Sequence, residues 1–272
     1  MGALDGTRFV GRNGHLLARL DHRGSQWVLC VFVLVQFEFD LAESARAKGV
    51  GEWTDSEQDA WKRAFIRSAE NTFSYQWSLQ TSARSRDELG GALSVDVELI
   101  VEEIDPQDLL RGRQHVFTVF VTRGKTDAPE TFASGDDPQI QLADRHIESR
   151  TQPTHPDIAQ RLTDHEIAHA LGLDHPNCKG KELRCYGDPK TETGQRIVGL
   201  GSRVSAQDYV VFAEIMKTLM PGRGWMVRRD LLGEREERPA HWMRIPGINS
   251  GRMPGPVGAG GAHNRQRRKR TR

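Results

Sequence analysis

Three histidines and one glutamate fall within the stretch HEIAHALGLDH, at residues 165–175. Such side chains bind metals and move protons. On an α-helix His165 and His169, four apart, set their rings on one face, one turn apart. Glu166 lies on an adjacent part of that surface, while Ile167 and Leu171 share another face suited to burial. Gly172 tolerates the left-handed conformation that ends a helix, so the chain can reverse and return His175 towards the first two rings. Three neutral imidazoles converging on one point make a zinc site with its fourth position open. The chemistry expected is therefore Zn2+ as cofactor, held by His165, His169 and His175, with Glu166 as the general base that moves a proton from water to a leaving amine. A lone histidine is usually an ordinary surface or core residue. The full H-E-x-x-H-x-x-G-x-x-H spacing, however, arises by chance on the order of 10⁻⁴ times in a chain of this composition, and it is a metalloprotease signature.

At His165, Glu166, His169, Gly172 and His175 the sequence resembles the metzincin metallopeptidases. HEIAHALGLDHP, including Pro176, is most similar to the serralysin and matrixin forms of that helix. A wider similarity, to metzincin-like domains of bacterial effector proteins, rests on chain order and on RIVGLGSRVSAQDYVVFAEIM at 196–216. The resemblance implies a zinc-dependent metalloendopeptidase acting on protein or peptide substrates, with an effector or toxin domain as one setting. It also implies a methionine-containing turn beneath the metal. RIVGLG at 196–201 stands in that place, with Val198 where methionine would be and Gly199 after it. Met220 precedes Pro221 and Gly222 in a turn-like stretch, but it follows the C-terminal helix, whereas the family order puts the turn before that helix. Tyr186 and Tyr209 are both candidates for stabilising an oxyanion, with no positional argument for either. Asp164 and Asp174 are either acceptors behind the ligand rings or a helix-side charge and a turn residue. The rival from another class is a non-catalytic zinc-stabilised binding module. Glu166 argues against it, because a structural site has no use for a base there and usually fills the fourth position with protein.

These side chains need a scaffold. WVLCVFVLVQFEF at 27–39 reads as a buried strand, too short and too β-branched for a membrane helix. WTDSEQDAWKRAFIRSAENTF reads as a helix, with Thr54 and Glu57 in a capping-box pattern and Trp61, Phe65 and Ala69 as its core stripe. Strands are expected at 93–104, 115–124 and 139–144; the resemblance implies that the last edges the cleft, where it could take an extended peptide by strand addition. The motif helix is expected over 155–171, with Thr154 and Asp157 at its N-terminal cap and Pro156 in its first turn. A later helix runs through AQDYVVFAEIMKTL, capped by Ser205 and ended by Pro221, Gly222 and Gly224. The expected fold is α+β and zincin/metzincin-like: a mixed, mostly parallel sheet, a metal-binding active-site helix and a small C-terminal subdomain. Its parts are an irregular lead-in at 1–26, a metallopeptidase domain at 27–245 (N-subdomain to about 175, C-subdomain 176–245) and a disordered basic tail at 246–272.

Composition narrows the classes. A net charge of +1 gives no global field for nucleic acid, although RQRRKRTR closes the chain. No nucleic-acid or membrane partner is expected, and nothing in the sequence bears on oligomeric state. The first residues carry glycines and charges where a secretion signal needs an apolar core. The expectation is a cytoplasmic protein, or one exported without a cleaved leader. Cys30 belongs to the core run. Cys178 and Cys185 either close a short disulfide loop or stay reduced, and a second metal site would need another pair of ligands.

Overall fold

The computed structural model describes residues 8–11, 14–82, 93–104, 116–125, 130–132, 138–152, 155–177 and 183–229. They lie within one compact unit, 1–230. No helix among them is long and apolar enough to cross a membrane.

The apolar run becomes the spine of a mixed sheet, strand β3 (Gln26–Leu41), buried without a break from Val28 to Val35. A strand covered on both faces has no polar side to show, which explains the unbroken run of Val, Leu and Phe. Along Trp27–Val35 it pairs in parallel with β5 (Ser94–Glu103). On its other side β2 (Leu16–Arg23) runs antiparallel to its first half, and β6 (Phe117–Arg123) runs parallel to its second. β8 (Gln139–Ala143) continues the parallel set beside β6. Antiparallel strands complete the sheet: β4 (Trp77–Thr81) and β11 (Trp225–Arg229) at one end, β7 (Glu130–Phe132) at the other, and β1 (Arg8–Val10) on β2. The architecture is mixed α/β with parallel central strands and few helices.

Three helices share the larger core cluster. Helix α2 (Asp55–Phe73), which follows a one-turn α1 (Glu43–Arg46), starts at the expected capping box. The Glu57 amide donates to Thr54 Oγ1 at 3.3 Å, and the Thr54 amide to Glu57 Oε2 at 2.8 Å. Its stripe of Trp61, Phe65, Ala69 and Phe73 is buried, and the Trp61 indole donates to Asp144 O. Helix α3 (Leu162–Ala170) carries the motif and buries Ile167 and Ala168, while α4 (Val210–Leu219) buries Phe212, Ile215 and Met216. A second cluster, of Leu17, Val28, Cys30, Phe32, Leu34, Ile104 and Val116, includes no helical residue.

Several expectations need correction. The 1–26 lead-in is not irregular, because β1 and β2 occupy most of its described part. Arg23 pairs with Gln26 across Gly24–Ser25, and Gly24 has φ 61°. A glycine first in a two-residue hairpin turn is a turn signal present in the sequence. The motif helix does not begin at 155. β10 (His155–Arg161) pairs with β9 (Ser149–Gln152) there, and the helix starts at Leu162 after Arg161, whose side chain makes no cap. Strand pairing supplies backbone partners across the hairpin, which outweighs a weak local helix preference. Asp157 therefore lies in a strand, and Thr154 is outside the described residues. β8 is not an edge, since β7 covers it. The later helix begins at Val210, not just after Ser205. Ser205 instead donates through its amide and hydroxyl to Asp208 Oδ2, each at 2.7 Å. The core does not part near 175, because residues from both expected subdomains join one cluster. The stretch from 230 onward, with the basic tail at 246–272, lies outside the described residues.

Candidate metal centre

The nine-residue helix α3 places His165 and His169 one above the other. It ends in a reciprocal pair of backbone bonds, the Leu173 amide to Ala168 O at 3.0 Å and the Gly172 amide to His169 O at 2.9 Å. Gly172 takes φ 91° there, so this is a Schellman end, which requires a residue that can adopt the left-handed conformation. The same reversal carries Leu173 O to His169 Nδ1, at 2.6 Å, and brings His175 back to the helix. The three Nε2 atoms then form a triangle: 3.1 Å from His169 to His165, 3.1 Å from His169 to His175, and 3.3 Å from His175 to His165.

The tautomers follow from the other ring nitrogens. His165 Nδ1 lies 2.7 Å from Ile197 O, and His169 Nδ1 lies against Leu173 O. A carbonyl only accepts, so both Nδ1 atoms carry the proton and both Nε2 atoms present bare lone pairs. Lone pairs facing one another repel unless a cation lies between them. A tetrahedral zinc with Zn–N of about 2.0–2.1 Å needs ligand nitrogens about 3.3–3.4 Å apart, close to the triangle's edges. The donor set therefore fits zinc. Among the described residues the group contains three ligands and no fourth.

Burial keeps His165 and His169 neutral. It lowers His165 to about 3, an effect strengthened by His169 and opposed by the bond to Ile197 O. Burial likewise lowers His169 to about 4. The unfolded chain titrates near 6.5 at both positions, so between about 3 and 6.5 it binds more protons than the folded one. Their stabilisation is complete above 6.5 and declines as pH falls. From pH 7 to about pH 5 the metal-free protein should lose roughly 2 kcal/mol per buried imidazole. Urea unfolding at the two pH values measures this, and an unchanged midpoint would contradict neutral, desolvated rings.

Glu166 is 3% exposed. Its Oε2 accepts from Thr131 Oγ1 on β7 at 2.7 Å. Tyr186 stacks on the histidines, its ring centroid 4.2 Å from that of His175 and 5.9 Å from that of His165. Burial, and then the charge of Glu166, raise its phenol above the ordinary value. Tyr209 is elsewhere: it is fully buried, its hydroxyl bonded to Phe73 O and accepting from the Gln76 amide. The structure thus separates two tyrosines that the sequence left level.

The turn at 196–201 lies against His165 through Ile197 O. Val198 is fully buried in the main core. Gly199 has no room for a side chain, since an added Cβ would meet Gly194 O at 2.6 Å and Tyr186 O at 2.9 Å. Gln160 ties this turn to the strand before the helix, its Nε2 donating to Gly199 O at 2.9 Å and lying 3.1 Å from His165 Nδ1. A buried ion pair, Arg196 Nη2 to Asp208 Oδ1 at 2.5 Å, fastens it to the approach to α4. Met220 instead closes α4 and packs on the main core. Asp164 does not support a ligand ring. It accepts from Ser68 Oγ, Thr72 Oγ1 and Arg161 Nη1, and so joins α3 to α2. Asp174 is exposed, but its charge acts to raise His169. Cys185 is disulfide-bonded, and Cys178 lies outside the described residues. A cavity of about 740 Å³ adjoins His175, between Leu173–Pro176 and one face of α4.

Sequence reasoning missed Gln160, Thr131 and the two carbonyls behind the rings. A backbone carbonyl has no side-chain signature, and β7 is too short for a period to show. No protein-family model, curated protein or solved structure matches the chain.

Proposed function

We propose that this chain is a zinc-dependent metalloendopeptidase of metzincin type that cleaves protein or peptide substrates. The observation that carries the reading is the triangle of three Nε2 atoms, those of His165 and His169 bare, with the buried Glu166 next to His165 in the chain. His165, His169 and His175 would hold the metal. Zinc, when bound in such a site, lowers the pKa of water towards about 7 and polarises a carbonyl. Glu166 takes a proton from water and returns it to the leaving amine nitrogen. Tyr186, whose raised phenol stays protonated at neutral pH, donates to the carbonyl oxygen as it gains negative charge. An extended peptide would pair with β7 at the sheet's free edge rather than with β8, and the cavity beside His175 gives room for a side chain. The rival, a zinc-stabilised binding module, lacks support from a fourth protein ligand among the described residues.

The turn makes its own prediction. Val198→Asp buries a charge in the core next to Ile197, whose carbonyl meets His165, and should loosen both zinc and fold. Val198→Met should change stability by no more than about 1.5 kcal/mol, and Met220→Ala should leave zinc affinity nearly unchanged. Zinc release from the Met220 variant but not from Val198→Asp would transfer the floor of the site to Met220. The peptidase reading is tested by incubating the zinc-loaded protein with a complex peptide mixture beside a chelator-treated sample. New termini only in the loaded sample support it, and no new termini in either would defeat it.

A further inference from the structure

Thr131 is the middle residue of β7 and pairs with Ile140 of β8. β7 is the last strand of the sheet beyond β8, and α3 packs against it. From there the Thr131 hydroxyl reaches Glu166 twice, at 2.7 Å to Oε2 and 3.2 Å to the backbone oxygen. A hydroxyl has one proton to give. The shorter distance and the charge of the carboxylate favour Oε2. A β-branched side chain in a strand has few χ1 choices, so this hydroxyl is aimed by its backbone. Glutamate, by contrast, has three rotatable bonds, and in a base that must meet one proton such freedom costs rate.

We propose that Thr131 is the positioning residue of the general base: it locks the rotation of the Glu166 carboxylate from the last described strand of the sheet. This deepens the metallopeptidase reading and rests on it. It also links the strand on which a peptide would dock to the group that moves the proton.

Thr131→Val keeps the branched shape and removes the hydroxyl. With the zinc-loaded protein and a cleaved peptide, kcat should fall about 10–100-fold, the range seen when partners behind a site are removed, while KM and zinc content hold and the protein stays folded, losing only the stability of one buried hydrogen bond. Thr131→Ser should recover most of the loss, which a purely steric role would not produce. Wild-type kcat in a folded, zinc-loaded Thr131→Val overturns the proposal. A second measurement needs no turnover: denaturant unfolding of metal-free Thr131→Val, Glu166→Ala, which removes the acceptor, and the double variant. Non-additive stabilities support the contact, and additive ones overturn it. A wild-type protein that shows the coupling yet cleaves nothing counts against the metallopeptidase reading and for the contact.

Discussion

On the proposed peptidase reading, Glu166→Gln should lower kcat by about 10²–10⁴-fold, the contribution of a positioned acid–base group, while zinc content and fold are kept. The exchange is nearly isosteric. The amide oxygen can still accept from Thr131, whose hydroxyl lies 2.7 Å from Oε2, so the side chain holds its place. What it cannot do is take a proton at neutral pH. Because Glu166 is only 3% exposed, bulk water is poorly placed to act in its stead. Cleavage rate, zinc by elemental analysis and a thermal melt on the same preparation separate the outcomes. Undiminished cleavage removes the base role from Glu166. Loss of zinc makes it a ligand or a support for one.

If His165, His169 and His175 hold zinc as proposed, replacing each with Ala should weaken it by more than about 100-fold, beyond the 10–100-fold typical of losing a partner behind a ligand. Two nitrogens cannot close the triangle, and water must fill the gap. The variants differ in what else they disturb. His165 is 3% exposed and donates to Ile197 O, so its loss leaves a cavity and a buried carbonyl without its donor, at a cost of a few kcal/mol. The same variant should also lose part of the acid sensitivity expected of the wild type, because one depressed imidazole is gone. His175 lies beyond the end of α3, and its replacement should release zinc with less effect on folding. Competition with a chelator of known affinity measures the first effect and urea unfolding the second. Full zinc retention in His175→Ala would remove that residue from the ligand set.

How much of this could be read from the sequence depends on how far apart the interacting groups lie along the chain. Spacing of four between His165 and His169, a glycine where the helix must reverse, the Thr54–Glu57 box and the apolar run at 27–39 are signals completed within a few residues. Each survives in the structure, since local hydrogen bonds and steric freedom already decide it. The helix expected from 155 failed for the converse reason. Its local preference was weak, and β9 offered backbone partners that no helical spacing reveals. The hairpin of β2 and β3 is an intermediate case: Gly24 announces the turn, but only the open side of β3 gives β2 a place to pair. The supports of the site lie furthest from the motif. Ile197 O, Gln160, Thr131 and Tyr186 reach the histidines and Glu166 from four other segments of the chain. The sequence by itself determined which side chains are of a type and spacing suited to hold a metal and move a proton, because that follows from residue type and helical period. The tertiary structure alone decided which nitrogen of His165 and of His169 is bare and how the carboxylate is held, because those depend on acceptors and donors that meet only when the chain is packed.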